Sequence, residues 1–98
     1  MQADDAIKAR CIALAKHAIG LGRKHPYTRN GKQYFKPYRN YFYTVLPCEP
    51  WMLMVYAEYA EMREYIREGR RAATFWLTRA GLDWLGEQLG IHIYDESH

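Results

Sequence analysis

Apolar residues at Ile7, Cys11, Leu14 and Ala18 recur at i, i+4, i+7 and i+11, the spacing of one helix face, and Ile12, Ala15 and Ile19 widen that face. Asp4 or Asp5 is placed to cap this helix and Gly20 and Gly22 to end it, because the residue past a helix end often takes a left-handed conformation that glycine adopts freely. Arg10, Lys16 and His17 fall on the opposite side, turned to water or to an anion.

After His25-Pro26 the period changes. Tyr27-Thr28-Arg29-Asn30-Gly31-Lys32-Gln33-Tyr34-Phe35 predicts a β-hairpin, since Asn-Gly supplies the two positive φ angles of a type I′ turn. Pro37 has no N–H to give a ladder, so it ends the second strand or places it at an edge. Arg39 to Leu46 is β-prone, with Tyr41, Tyr43 and Val45 competing against Phe42, Thr44 and Leu46 for the buried face.

Pro50 suits the first turn of a helix, and Trp51 to Ala57 favour its continuation. Two endings fit. Trp51, Val55, Met62 and Ile66 are compatible with one long helix stopping at Gly69. Alternatively the helix ends near Tyr59, and roughly Ala60 to Arg67 pairs with Ala72 to Leu77 across a Glu68-Gly69-Arg70-Arg71 turn. Thr78 then caps a helix from Arg79 to Leu89 that buries Leu82, Leu85 and Leu89 and stops at Gly90. Ile91 and Ile93 alternate with His92 and Tyr94 in a short last strand. Trp84 lies off the leucine stripe, where it packs on Phe75, on Trp76 or under a neighbouring loop, or else anchors a partner.

Charge changes this picture more than length does. Nine Lys or Arg residues and no acid lie between Ala6 and Cys48. Met1 to Cys48 sets those nine bases against two acids, net +7, whereas Glu49 to His98 sets five Arg against nine acids, net −4. The basic half therefore meets either an external anion or the chain's own acidic half. With so few Leu and Val in residues 23–43, about half of the tyrosines there are expected to fill the interior.

At 98 residues and 49% hydrophobic, the chain suits one domain burying roughly 60 to 70% of its unfolded surface. Cys11 and Cys48 do not make a disulfide framework, although a bridge between them stays open. No apolar run approaches the roughly 20 residues of a membrane span, and MQADDAIKAR is too acidic and polar for a signal peptide, so a cytoplasmic location is expected.

Met54 to Leu89 resembles the last part of a winged-helix domain, with a helix, two strands around a basic turn, and a Leu-Thr-x-x-Gly-x-x-x-Leu signature at Leu77-Thr78-Arg79-Ala80-Gly81-Leu82-Asp83-Trp84-Leu85. That resemblance favours the hairpin over the long helix for residues 60–67. Ahead of Trp51, a Tyr-rich hairpin stands where a standard winged helix carries two further helices. The whole chain also resembles small proteins of tailed phages and prophages. The likeness is carried by Pro26-Tyr27-Thr28-Arg29-Asn30-Gly31-Lys32, by Tyr34-Phe35-Lys36-Pro37-Tyr38-Arg39-Asn40-Tyr41-Phe42, and by Leu77-Thr78 to Leu85. It implies an origin rather than a mechanism, with a place in the cytoplasm of a bacterial host; small phage proteins commonly act by occupying a surface, on nucleic acid or on a host machine that handles it. The expected fold is α+β, a small single domain over 1–98. A helix (1–22) is followed by a basic aromatic hairpin region (23–46) and a winged-helix-like part (50–98) with a central helix, hairpin, C-terminal helix and short last strand.

The residues for catalysis are missing in this reading. Ser97 is the only serine and sits next to the end of the chain, where little orients it. Cys11 and His17 are six residues apart on one helix and point about 120° away from each other. The His and Cys residues show no zinc-like short spacings, and Gly20-Leu21-Gly22-Arg23-Lys24 lacks the Lys-Ser/Thr ending of a phosphate-binding loop. Neither catalysis, nor a metal, nor a cofactor is expected. Glu58, Glu61, Glu64 and Glu68 interleaved with Arg63, Arg67 and Arg70 read as a solvated face.

What remains is binding. Arg29, Lys32, Lys36 and Arg39 are expected to meet phosphates of DNA or RNA, with Tyr34, Tyr38 or Tyr41 stacking and Arg70 and Arg71 adding backbone contacts at the wing tip. The alternative is an inhibitor or adaptor that uses the same rings and arginines on a host protein or nucleoprotein defence complex, or a virion assembly component. Monomer and homodimer both stay open.

Overall fold

The computed structural model of the protein describes residues 2–94. Its first helix, α1 (Gln2–Ile19), buries Cys11, Ala15, Ala18 and Ile19, the face given by the apolar spacing. Because the helix begins at Gln2, both Asp4 and Asp5 lie within it and neither is its cap. At the other end Gly20 takes φ 80°, its N–H donates to the His17 carbonyl at 3.2 Å, and the Leu21 N–H donates to the Lys16 carbonyl at 3.0 Å. These two bonds close a Schellman motif.

The Asn-Gly signal forms as expected. β1 (Tyr27–Arg29) and β2 (Lys32–Phe35) pair antiparallel across Asn30 (φ 53°) and Gly31 (φ 76°). The last strand, β6 (His92–Ile93), lies parallel to β2, which gives a sheet ordered β1-β2-β6. Phe35 and Ile93 stand side by side in it and point into the core.

The second sheet is antiparallel, ordered β3-β5-β4, from β3 (Phe42–Val45), β4 (Ala60–Arg67) and β5 (Arg70–Leu77). Residues 60–67 are thus strand. The turn is shorter than expected: only Glu68 (φ 51°) and Gly69 (φ 78°) lie between the strands, so Arg70 and Arg71 belong to β5. The third strand starts at Phe42 rather than Arg39, because Asn40 is already engaged through its side chain. Its amide donates to the Leu77 carbonyl and accepts from the Leu77 N–H, both at 2.9 Å. On β3, Phe42 packs on the core while Tyr41, Tyr43 and Val45 stay exposed, which settles the competing faces.

The other two helices are α2 (Glu49–Tyr56), three residues shorter than the Tyr59 expectation, and α3 (Arg79–Leu89). Pro50 stands in the first turn of α2, and Trp51, fully buried, stacks on Phe75 at 5.2 Å and tilts against Phe42 at 5.7 Å. For α3 both ends match the sequence, with Thr78 capping the start and Gly90 left-handed (φ 71°) at the stop. Leu82 and Leu85 are buried; Leu89, expected inside, is half-buried at the rim. Trp84 stacks on Tyr59 at 5.1 Å, so it packs on the segment that follows α2 rather than on Phe75 or Trp76.

One expectation about the interior fails. No tyrosine among the described residues is buried; the core from this region comes from Phe35 and Pro37, with Phe42 half-buried beside them. A phenol hydroxyl needs a hydrogen-bond partner when buried, and the core has room instead for phenylalanine and tryptophan. The architecture is therefore α+β, with three helices and six strands in two small sheets among the described residues. No helix among these residues is long and apolar enough to cross a membrane.

Candidate functional site

The period of two along a strand decides which side chains share a face. In the β1-β2-β6 sheet, Tyr27 lies opposite Tyr34, Arg29 opposite Lys32, and Tyr34 opposite His92. Since Phe35 and Ile93 point inward, this set points outward, and Lys36 and Tyr94 continue it by alternation. Four sequence-predicted residues, Arg29, Lys32, Tyr34 and Lys36, are thus brought together on one outer face. Tyr34 is its centre, stacked with Tyr27 at 5.8 Å and Tyr94 at 6.0 Å, with the His92 ring edge-on at 5.8 Å. The Tyr94 phenol is raised above its ordinary pKa, chiefly by hydrogen bonding with Tyr27, while the charges of Arg29 and Lys36 pull it down.

Arg29 and Lys32 face each other across the hairpin end, an arrangement that repels by itself. Among the described residues neither they nor Lys36 has a carboxylate within ion-pair distance; the two ion pairs present are Arg71–Glu64 at 2.7 Å and Arg79–Asp83 at 3.3 Å. Among the described residues, then, the acidic half does not neutralise these three cations through close contacts. Beside this face an open cleft of about 750 Å³ separates Lys32, Tyr34, His92 and Tyr94 from Asp83 and Glu87 of α3. The positive side of the site is accordingly the hairpin end.

Other sequence-predicted residues are placed elsewhere. Arg39 donates to the His17 carbonyl at 2.8 Å, at the negative end of α1, and its Nε is buried without a partner. Tyr38 covers Gly20, where any Cβ would overlap its ring, and Lys24 and Arg39 lie over that ring at 5.2 and 5.4 Å. These two residues fasten the chain to the end of α1. Arg71 is paired with Glu64, which raises the guanidinium and lowers the carboxyl from their ordinary values through the hydrogen bond between them. Arg70 is exposed and unpaired among the described residues, and Tyr41 stacks on Tyr43 at 6.2 Å with ring planes 4° apart.

Sequence reading alone passes over Tyr43, Arg63, Tyr65 and Arg67, which share the outer face of the β3-β5-β4 sheet. Tyr43 lies in register with Thr74 and Arg63, Val45 with Ala72 and Tyr65, and Arg67 with Arg70. A signal for them is present: Tyr65-Ile66-Arg67-Glu68-Gly69-Arg70 repeats the Tyr-x-Arg-x-Gly-cation order of Tyr27-Thr28-Arg29-Asn30-Gly31-Lys32. In both hairpins the Gly-containing pair forms the turn, and two cations face each other at its base.

Both cysteines are free; Cys11 is buried with its thiol 3.5 Å from the Pro50 carbonyl, and burial pushes that thiol up against the opposing charge of Arg10. No cluster of three or more His, Cys, Asp or Glu suited to a metal ion occurs among the described residues, and Ser97 lies outside them. No family model, curated protein or solved structure matches the chain.

Proposed function

We propose that the protein is a non-catalytic binding module that contacts nucleic acid through the outer face of its β1-β2-β6 sheet. One observation carries this reading: Arg29, Lys32 and Lys36 share that face with Tyr27, Tyr34 and His92, without a carboxylate in ion-pair reach among the described residues. Cations held opposite each other gain most from a ligand that brings several negative charges at regular spacing, which is what a phosphodiester chain offers. The rings beside them supply the flat apolar contact that bases accept. The likeness to small phage and prophage proteins fits a molecule that works by occupying a surface.

The test is a binding titration against salt. Log affinity for a single strand should fall with log salt at roughly −0.7 per phosphate contacted, and roughly −0.9 for duplex DNA. Replacing Arg29, Lys32 and Lys36 together by Ala should flatten the single-strand slope by about 2. Absence of binding to either form at low salt removes the reading.

A second reading, an inhibitor or adaptor on a host protein, is favoured by α2. That helix carries no Lys or Arg and exposes Met52, Leu53 and Tyr56, the last at 91%. A protein partner retained stoichiometrically through nuclease treatment would replace the nucleic-acid reading with this one.

A further inference from the structure

The β3-β5-β4 sheet presents a second set of rings and unpaired cations on its outer face. Its central strand carries the small residues Ala72 and Thr74 there, bounded at the far end by Trp76, whose Nε1 donates to Glu61 at 3.0 Å, while the flanking strands carry Tyr43 and Val45 on one side and Arg63 and Tyr65 on the other. A trough along β5 results. The Tyr65 hydroxyl lies 3.3 Å from the Thr74 hydroxyl, two residues along from its register partner Ala72, so the ring is drawn across Ala72, which is only 6% exposed. An aromatic ring thus covers part of the floor. Tyr43 is 58% exposed on the opposite wall, parallel to Tyr41. At the hairpin end stand Arg67 and Arg70, facing each other and, like Arg63, without an ion-pair partner among the described residues. Tyr43, Val45, Tyr65, Arg67, Arg70 and Ala72 line an open cleft of about 370 Å³, which also meets Glu68 at its rim.

We infer that this face is a second nucleic-acid contact and that it takes unpaired nucleotides, bases lying on Tyr43 and Tyr65 and phosphates on Arg63, Arg67 and Arg70. The inference rests on the nucleic-acid reading above and adds a separate surface and a strandedness to it. Two observations decide for unpaired strands. Ring faces reach a base only where that base is out of its duplex stack, so exposed tyrosines beside arginines suit single strands. A duplex read from the major groove calls for a helix with polar or basic side chains that reach base edges and phosphates. The helix just before this hairpin, α2, reads Glu49-Pro50-Trp51-Met52-Leu53-Met54-Val55-Tyr56 and carries no Lys, Arg, Asn, Gln, Ser or Thr.

The experiment measures binding of a labelled oligothymidylate, an oligouridylate and a mixed-sequence duplex, all long enough to span both sheets, to the wild-type chain, to the Arg29/Lys32/Lys36 variant above and to two further variants. Arg67→Ser/Arg70→Ser changes only exposed hairpin-end positions. It should weaken both single strands about 10-fold at low salt and flatten the salt slope by about 1.4, the share of two phosphates. Tyr43→Ala should weaken them roughly 5- to 100-fold with the slope unchanged, since stacking releases no counterions, and should leave duplex binding as it was. Preference between the two oligomers assigns the strand as DNA or RNA.

Wild-type affinity in both variants, alongside a weakened Arg29/Lys32/Lys36 variant, overturns the second face and leaves the first standing. Equal loss for single strand and duplex in Tyr43→Ala overturns the strandedness. A wild-type chain that binds none of the three probes overturns this inference together with the reading beneath it.

Discussion

Gly81 shows how a single missing atom decides packing. It lies in the first turn of α3, and a Cβ there would overlap the Tyr59 carbonyl, which is itself held by the Thr78 N–H at 3.0 Å. Alanine would ordinarily gain about 1 kcal/mol over glycine inside a helix. Overpacking against fixed backbone costs about 1 to 3 kcal/mol or more, so the clash wins. Gly81→Ala is expected to lower stability by about 2 kcal/mol, read as a shift of the urea midpoint with the slope unchanged. Gly69→Ala supplies the contrast. It has open space around it and only a positive φ of 78°, so the backbone penalty of about 1 to 2 kcal/mol is partly offset by the stiffer unfolded chain. A Gly81→Ala chain as stable as wild type would show that α3 does not approach Tyr59 this closely.

Among the elements, α3 depends most visibly on one polar side chain. The Thr78 hydroxyl accepts from the Gly81 N–H at 3.0 Å and donates to the Glu58 carbonyl at 2.9 Å, joining the helix start to the segment that leaves α2. Thr78→Ala loses both bonds and is expected to cost about 1 to 2 kcal/mol in thermal or urea unfolding, with Thr78→Ser restoring most of it. If Ala unfolds at the wild-type midpoint, the cap is idle. This helix was legible in the sequence because its ends are local chemistry, Thr78 before it and Gly90 after it, and the Tyr27–Phe35 hairpin was legible through Asn30-Gly31 for the same reason. The parallel pairing of β6 with β2 was not, since nothing near His92 or Ile93 specifies a partner more than fifty residues earlier. The exposed tyrosines were misjudged on similar grounds. Which ring is inside depends on whether distant Trp51 and Phe75 already fill the space. Of the candidate site, Arg29, Lys32, Tyr34 and Lys36 could be named from composition and alternation. Arg39 and Arg71 could not be set apart from them, because only the fold brings the His17 carbonyl and Glu64 within reach.

Over the whole molecule, apolar burial is gathered at one end of the β4–β5 hairpin. Ala60 and Leu77 at its base are buried together with Ala73 and Phe75, whereas Ile66, near its tip, is 66% exposed between Arg67 and Tyr65. The strands keep their hydrogen bonds to the tip but lose their cover of side chains, so opening there exposes little new surface and costs little free energy. Phe75 and Leu77 cannot open without disturbing Trp51 and the core beneath it. Native-state amide exchange should therefore be slowest at Phe75 and Leu77, near the global unfolding free energy. It should quicken step by step toward Arg70 and Arg71, and the β1–β2 tip around Asn30 should exchange fast for the same reason. The two cationic hairpin ends are then the parts of their sheets that open at least cost, attached to a core that opens at the highest cost. Adding a single-stranded oligonucleotide should slow exchange at both tips as well as at Phe75 and Leu77, because a ligand bound only to the native fold raises the cost of every opening that releases it. Protection that rises instead at the core strands alone would mean that the ligand stabilises the fold from another surface, and the two hairpin faces would lose their claim to the contact.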